Sequence, residues 1–215
     1  MARVIVIGGH GKVALLLAPI LVERGDEVTS VFRNPDHSDD VAGTGAHPVV
    51  ADIERLDTDA LADLLAGHDA VVWSAGAGGG NPARTYAVDR DAAIRTIDAA
   101  EQADVQRFAM VSYFGAGPNH GVPQDDPFFP YAEAKAAADA HLRASRLDWT
   151  ILGPGRLTLE PATGRIVIGA GSEVSRADVA LVVAAVLAID STIGRTIEFN
   201  NGETPIAEAL AAELE

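Results

Sequence analysis

The first fourteen residues limit the possible fold of this chain more than any other segment. The apolar run Val4-Ile5-Val6-Ile7 is typical of a buried strand, and the turn Gly8-Gly9-His10-Gly11 follows it directly. Residues 12–24 have the composition of a helix. A strand that turns through glycines into a helix directs backbone N–H groups and the positive end of the helix dipole toward one point. We therefore predict an anion-binding βα unit at the start of the chain.

The rest of the chain alternates short β-branched runs with longer alanine- and leucine-rich stretches, as parallel βαβ units do. The predicted strands are residues 3–7, 27–32, 47–50, 69–74, 106–112, 148–152 and 196–199. The predicted helices are residues 12–24, 58–66, 83–103, 131–145, 176–189 and 205–214, with Thr58 and Ser175 as N-caps. Gly153-Pro154-Gly155 is predicted to stop the sixth strand. The pattern predicts an α/β fold of the Rossmann type, a doubly wound, mainly parallel sheet with helices on both faces.

Length, charge and composition narrow the classes of function. A chain of 215 residues suits one domain, and we expect a small substrate-side lobe from about residue 153 to residue 215. The net charge of −15 would repel phosphate backbones, so we expect no nucleic-acid partner. No apolar run is long enough to span a bilayer and the start lacks a signal peptide, so we expect a cytoplasmic protein without a membrane partner. The oligomeric state stays open between a monomer and a small homo-oligomer.

The residue types also exclude several kinds of site. The chain has no cysteine, which excludes disulfides, thiolate metal ligands and a cysteine nucleophile. Its six histidines show no paired spacing of the His-x-x-x-His kind, so no metal site is predicted.

The spacing of the small residues after the first strand indicates a dinucleotide. Gly8-x-x-Gly11-x-x-Ala14 places small residues at the sharp turn, at the close approach of a pyrophosphate and where the helix packs on the strand. The strict G-x-G-x-x-G pattern is absent, and a glycine turn that serves only to reverse the chain is the alternative. The strand before the turn and the helix after it favour the dinucleotide.

The end of the second strand favours NADP over NAD. NAD sites usually carry a carboxylate there for the ribose 2′-hydroxyl, whereas NADP sites use arginine for the 2′-phosphate. Here the strand ends Val31-Phe32-Arg33-Asn34, and no acid follows before Asp36. The guanidinium fork of Arg33 can bind a phosphate, and Lys12 could reach the same group from the turn. We predict NADP as the cofactor, with NAD possible; a solvated surface arginine is the alternative for Arg33.

A tyrosine and a lysine four residues apart form the candidate catalytic pair. Only Lys12 and Lys135 supply lysine among the sixteen basic residues, and Lys135 follows Tyr131 at helical spacing. An ammonium near a phenol should lower its pKa from about 10, and the lysine could also bind the nicotinamide ribose. Ser112, at the end of the fifth strand, could orient the carbonyl oxygen of a small-molecule substrate. The alternative is a helix-capping tyrosine with a solvent-facing lysine.

Nearly the whole chain resembles the short-chain dehydrogenase/reductase superfamily, in its atypical, compact NAD(P)H-binding members. It is similar to flavin and biliverdin reductase-like and to NAD(P)-dependent epimerase/dehydratase-like proteins. The segments that carry the resemblance are residues 6–14, 31–35, 50–52, 72–77, 110–112 and 149–155, together with Tyr131 and Lys135. The chain departs from the family pattern at His10, at Gly153 and in the 19-residue separation of Ser112 from Tyr131.

The resemblance implies one NAD(P)-binding domain with the cofactor across the carboxyl edge of the sheet. The residue at Asp52 would meet the adenine, and Ser74, Ala75 and Gly76 would lie along the cofactor ribose. The predicted catalytic residues are Ser112, Tyr131 and Lys135. The predicted cofactor-binding residues are Gly8, Gly9, His10, Gly11, Lys12, Val13, Arg33, Asn34, Asp52, Ile53, Ser74, Ala75, Gly76, Lys135 and Pro154.

The function predicted from these residues is an NADP-dependent oxidoreductase of a small carbonyl or enone. Two alternatives stay open: a non-catalytic NADP(H)-binding redox sensor, and a sugar-nucleotide-type epimerase or dehydratase, which usually has a larger carboxyl-terminal lobe. His120 and Asp125-Asp126 could line a substrate pocket, although a solvated loop fits them better. Asp89 could face the cofactor edge, and packing explains it equally well.

Overall fold

The computed structural model describes residues 1–78 and 80–212, which form a central sheet with helices on both of its faces. The strands are β1 (Arg3–Ile7), β2 (Glu27–Phe32), β3 (His47–Val50), β4 (Ala70–Trp73), β5 (Arg107–Val111), β6 (Asp148–Pro154), β7 (Arg156–Thr158), β8 (Arg165–Ile168), β9 (Glu173–Ser175), β10 (Arg195–Asn201) and β11 (Thr204–Pro205). The helices are α1 (Lys12–Glu23), α2 (Ser38–Ala42), α3 (Thr58–Leu65), α4 (Pro82–Thr85), α5 (Ala93–Gln102), α6 (Phe129–Ala144), α7 (Arg176–Val186) and α8 (Ile206–Ala212). A π-helical segment, Tyr86–Ala92, joins α4 to α5.

The sheet confirms the predicted Rossmann-type architecture. Its strand order is β11-β8-β10-β6-β5-β4-β1-β2-β3, and every neighbouring pair from β10 to β3 is parallel. Only β8 and β11 add antiparallel pairs at one edge. The chain order reverses between β1 and β4, so the carboxyl ends of these two strands form the crevice in which such sheets bind their ligands.

Alternate residues of β1 show why the strand reads as an unbroken apolar run. Val4 and Val6 pack with α1 and α7 on one face, while Ile5 and Ile7 pack with α3, α5 and α6 on the other. All four side chains are buried. A parallel strand covered by helices on both sides has no solvent face, and therefore no polar alternation.

Two local predictions are wrong for identifiable reasons. Strand β6 does not stop at residue 152, because Gly153 and Pro154 continue its pairing with β10, and the Pro154 carbonyl accepts the Phe114 N–H at 2.8 Å. The N-cap of α3 is Asp57 and not Thr58, since the Asp57 carboxylate accepts the Ala60 N–H at 2.9 Å. The predicted cap of α7 is confirmed, because Ser175 Oγ accepts the Asp178 N–H at 2.9 Å.

The segment after residue 153 contains elements that the sequence pattern did not indicate. Strand β10 covers the predicted strand at residues 196–199, whereas β7, β8, β9 and β11 were not predicted; β8 and β11 extend the main sheet, and β7 and β9 form a separate parallel pair. These strands, apart from β10, have two to four residues, which is too short for a period of two to stand out. The last helix was predicted to reach residue 214; it is observed over Ile206–Ala212, and residues 213 and 214 lie outside the described range.

A buried carboxylate ties this carboxyl-terminal segment to α7. Asp178 has no exposed surface, and its oxygens accept the N–H groups of Thr163 and Gly164 at 3.0 and 2.7 Å. The Ser175 hydroxyl donates to the same carboxylate at 2.8 Å. The loop before β8 and the start of α7 therefore share one acceptor.

We expect Asp178→Ala to lower the free energy of unfolding by roughly 2–4 kcal/mol, because several buried donors would lose their acceptor at once. Chemical denaturation monitored by circular dichroism measures the loss. Glu208→Ala, at an exposed position of α8, is the control and should stay within about 0.5 kcal/mol of the parent. Equal stability of the two variants would contradict this role for Asp178.

Candidate functional site

Two adjoining cavities lie along the carboxyl edge of the sheet. The larger has a volume of about 830 Å³, and the smaller has a volume of about 320 Å³. Gly11, Ser74, Ala75 and Gly76 line both of them, so these residues mark the passage from one cavity to the other. An extended ligand with a bulky group at each end fits this shape.

The glycine turn is held tightly against both neighbouring strands. The N–H groups of Gly8 and Gly9 both donate to the Val31 carbonyl, at 3.0 and 2.8 Å. Gly8 has a φ of +90°, and a Cβ there would lie 2.6 Å from the backbone of Ala75. A Cβ on Gly9 would lie 2.5 Å from the Ser30 Cβ. Only glycine fits at these two positions, and Gly9 serves packing because it lines neither cavity.

Helix α1 starts at the passage between the cavities. Its N-cap, Gly11, has no side chain, and Lys12 and Val13 of its first turn line the larger cavity. The first N–H groups of a helix have no acceptor within the helix, and the dipole adds partial positive charge there. The start of α1 therefore offers backbone donors to an anion in the larger cavity.

The smaller cavity contains the predicted residues Arg33, Asn34, Asp52 and Ile53. Glu54, which was not predicted as a site residue, also lines this cavity and binds two arginines. The Glu54 Oε1 atom accepts from Arg33 Nη1 and from Arg84 Nε, each at 3.1 Å. One carboxylate thus holds two guanidinium groups at the mouth of this cavity.

Lys12 and Arg33 line different cavities. Lys12 lines the larger cavity and Arg33 the smaller, and contact of both with one phosphate stays a prediction.

His10 forms one wall of the smaller cavity. Its ring stacks on His37, with centroids 3.6 Å apart and an interplanar angle of 14°. His10 Nε2 also lies 3.0 Å from Asp40 Oδ2. His10, one of the positions that depart from the family pattern, thus connects the glycine turn to the segment after β2.

Ser112 and Tyr131 both line the larger cavity, as the sequence predicted. The Ser112 hydroxyl donates to Asp139 Oδ2 at 2.6 Å, and Asp139 is fully buried. Burial raises the pKa of Asp139, while Lys135, the bond from Ser112 and Arg143 act to lower it. Asp139 was missed, although its position four residues after Lys135 and eight after Tyr131 places all three on one helix face.

Lys135 lies beneath the site and lines neither cavity. It is only 1% exposed, and its Nζ donates to the Val111 carbonyl at 2.8 Å and lies 3.5 Å from Met110 Sδ. Burial lowers the pKa of Lys135, and the nearby Asp139 and Asp89 oppose that shift. In this structure the ammonium joins α6 to the carboxyl end of β5, and contact of Lys135 with a cofactor ribose stays a prediction.

The pKa of Tyr131 is raised and not lowered, so the expected effect of Lys135 on the phenol is wrong. Burial contributes most to this increase, followed by the negative charges of Asp89 and Asp139 and by Tyr113. Lys135 is not among the groups that shift the pKa of this phenol. The phenol of Tyr131 is therefore protonated at neutral pH.

Asp89 comes from the π-helical segment and lines the larger cavity. Its Oδ2 accepts the Ala77 N–H at 3.0 Å, which ties the glycine-rich loop after β4 to the helix. Burial raises the pKa of Asp89, whereas the Ala77 bond, Lys135 and Arg84 act in the opposite direction. π-Helical segments such as Tyr86–Ala92 are frequent at functional sites, and helical periodicity alone does not reveal them.

The remaining predicted residues divide between the cavities and their surroundings. Pro154 lies outside both and lines a third cavity of about 450 Å³. In the irregular loop, Asp126 lines the larger cavity and Asp125 is exposed. His120 Nε2 lies 2.9 Å from Glu133 Oε1. Over residues 1–78 and 80–212, no group of three or more His, Asp or Glu could hold a metal ion, and no helix is long and apolar enough to cross a membrane.

Comparisons with known proteins agree with this geometry. Residues 8–190 match the model of a family described as NAD(P)H-binding. The chain is 34% identical over 213 residues to the uncharacterized sugar epimerase YhfK of Bacillus subtilis, covering 97% of this chain and 98% of that protein.

Solved structures show the same relationship. A Bacillus halodurans protein with the provisional name NAD-dependent epimerase/dehydratase superposes with a TM-score of 0.90 at 36% identity, over 99% of this chain and all (100%) of the other. The oxidoreductase YlbE of Lactococcus lactis has a TM-score of 0.88 at 30% identity, over 99% and 96% of the two chains. The protein therefore belongs to the NAD(P)H-binding family, in the atypical short-chain dehydrogenase/reductase group that the sequence resembles.

Proposed function

We propose that this protein is an NADP-dependent oxidoreductase that reduces a small carbonyl or enone substrate. The observation that carries the proposal is that one cavity contains the start of α1, the Ser112 hydroxyl and a protonated tyrosine, Tyr131. An anion-binding helix start next to a proton donor is the arrangement that a hydride-transfer site requires.

The residues present fit a dinucleotide. Gly11 lines both cavities at the passage and Gly8 lines the smaller one, so the backbone of the turn borders the space for the ligand. The pyrophosphate would bind at the start of α1, beside Lys12, and the adenosine would lie in the smaller cavity near Asp52 and Ile53. When bound, the reduced nicotinamide supplies a hydride to the substrate carbon. The segment Ser74, Ala75 and Gly76 would support the connecting ribose.

Arg33 supports NADP as the form bound. Strand β2 ends at Phe32, so no carboxylate at its end repels a 2′-phosphate. Arg33 and Arg84 share the single carboxylate of Glu54 at the smaller cavity, and the other carboxylate of its lining, Asp52, pairs with Arg55 at 3.3 Å. The Arg33 side chain is 54% exposed and can donate its remaining N–H groups to a phosphate.

Arg33→Ala is expected to raise the Kd for NADP⁺ about tenfold or more and to leave the Kd for NAD⁺ within twofold, because a charge-assisted bond contributes roughly 1.5–3 kcal/mol. Titration calorimetry with both cofactors measures the two constants. Arg195→Ala, which removes an exposed arginine of β10, controls for the loss of one positive charge. Equal weakening of both cofactors by Arg33→Ala would contradict the assignment.

The protonation state of Tyr131 favours reduction. Tyr131 is protonated at neutral pH and can give its proton to the oxygen of a carbonyl as that oxygen becomes negative. Oxidation of an alcohol, the first step expected of a sugar epimerase, needs a group that accepts a proton instead. Burial and the charge of Asp89 disfavour a phenolate, so Tyr131 holds the proton that a reduction consumes.

Tyr131→Phe should lower kcat for reduction at least about 100-fold, the lower end of what general acid catalysis contributes, because the ring remains and the proton is lost. Binding of NADPH, followed by its fluorescence, should change less than twofold. Full turnover of a reducible carbonyl by this variant would show that the proton comes from another group.

Ser112 would hold the substrate oxygen only while Asp139 carries a proton. A protonated Asp139 donates to Ser112 Oγ, and the serine hydrogen is then free for the substrate. An ionised Asp139 accepts that hydrogen at 2.6 Å instead. Burial disfavours the ionised form of Asp139, whereas Lys135, the bond from Ser112 and Arg143 stabilise it. Lys135 acts as a positioning residue through the Val111 carbonyl.

This arrangement predicts that kcat/KM for reduction falls as pH rises through the pKa of Asp139. Because burial raises that pKa, the fall comes at higher pH than the ordinary value of about 3.9 for a carboxyl group. In Asp139→Asn the amide donates to Ser112 at every pH, so this decline should disappear. Asp63→Asn, on the exposed side of α3, should keep the parental profile. A decline that persists in Asp139→Asn would assign it to another group.

A further inference from the structure

The third cavity, which we call the aromatic cavity, lies between the loop after β5 and the segment that follows β6. Its volume is about 450 Å³, and it shares Phe128 and Tyr131 with the larger cavity. The proposed proton donor therefore borders both. Its other lining residues are Tyr113, Phe114, Pro154, Gly155, Arg156, Gly171, Ser172 and Asn200.

Aromatic side chains are concentrated here. The sequence has six phenylalanines, three tyrosines and two tryptophans, and Tyr113, Phe114, Phe128 and Tyr131 all line this one cavity. The Tyr113 ring lies 5.2 Å from that of Phe128 and 5.6 Å from that of Tyr131. Phe128 is nevertheless 43% exposed, although a ring of this size is usually covered. A further ring placed in the cavity would gain edge and face contacts with this cluster.

The non-aromatic polar residues of the described lining are Asn200, Ser172 and Arg156. Asn200 Nδ2 donates to the Ala170 carbonyl at 2.8 Å, which fixes the amide orientation. A Cβ on Gly171 would lie 2.7 Å from the Asn200 Cβ, so glycine is needed for this side chain to fit. Arg156 is the one ionisable cation of the described lining, and it already pairs with Glu173.

The lining of the aromatic cavity favours a neutral substrate over a charged one. A sugar nucleotide carries a second diphosphate besides that of the cofactor, and burying two such charges requires unpaired cations. The described lining of the aromatic cavity offers no cation that lacks a carboxylate partner. Neutral rings gain the contacts described above without any charge to compensate.

We propose that the aromatic cavity binds the body of the substrate, and that the substrates are neutral, aryl-substituted aldehydes, ketones or enones. This inference rests on the proposed reductase function. In the reaction, the carbonyl carbon gains a hydride from the reduced nicotinamide, and its oxygen takes the phenolic proton of Tyr131. The product is the alcohol, the nicotinamide is left oxidised, and the phenolate regains a proton from solvent.

The test compares cinnamaldehyde with crotonaldehyde, which presents the same conjugated aldehyde without the ring. With NADPH we expect kcat/KM to be at least tenfold higher for cinnamaldehyde in the parent protein. Phe114 lines the aromatic cavity and neither of the other two cavities. Phe114→Ala should therefore reduce this ratio at least fivefold, mainly through KM. Leu159→Ala, an exposed apolar position outside the cavity, should keep the parental ratio. A ratio of two rates is insensitive to partial unfolding.

A binding measurement separates failure of this inference from failure of the proposed function. Calorimetry follows cinnamyl alcohol binding to the protein loaded with NADP⁺. Reduction of both aldehydes at equal kcat/KM would overturn the aryl preference and leave the reductase standing. Binding of cinnamyl alcohol that Phe114→Ala abolishes, without reduction of either aldehyde, would uphold the ligand class and overturn the reaction. Epimerisation of UDP-galactose, without binding of cinnamyl alcohol, would overturn both.

Discussion

The double hydrogen bond from Gly8 and Gly9 to the Val31 carbonyl is the interaction on which the site depends. It holds the turn against β2, while the bare Cα of Gly8 lets the turn approach Ala75 after β4. The direction of α1 is set by these contacts on both sides. The helix start consequently opens at the passage between the two cavities, which is why one ligand can meet Arg33 at one end and Tyr131 at the other.

Charges buried beneath the larger cavity determine what its tyrosine can do. Removing Lys135, Asp139 and Asp89 from water is costly, and each has a partner that offsets part of the cost: the Val111 carbonyl, the Ser112 hydroxyl and the Ala77 N–H. Burial, and after it the charge of Asp89, raises the pKa of Tyr131 and so keeps its proton in place.

The fold could be predicted from the sequence because its determinants are local, whereas the site could be predicted only in part. The glycine turn and the apolar strands gave β1 and β2 their observed bounds. The direction of the Lys135 side chain depends on a carbonyl of β5, and the partner of Asp139 comes from 27 residues away, so helical spacing could not reveal either. A cytoplasmic location and a monomer or small homo-oligomer stay predictions from the sequence.

Family membership determines the cofactor far more firmly than the reaction, and the relatives bear different names for that reason. Reductases and epimerases of this fold can share the glycine turn, the sheet edge and the tyrosine. They must differ where a proton is given or taken and where the substrate's own charge is held. In this chain the first place has two carboxylates near a phenol, and the second has four aromatic side chains and a paired arginine. Both differences arise from side chains outside the cofactor motif, and both favour a neutral substrate that receives a proton.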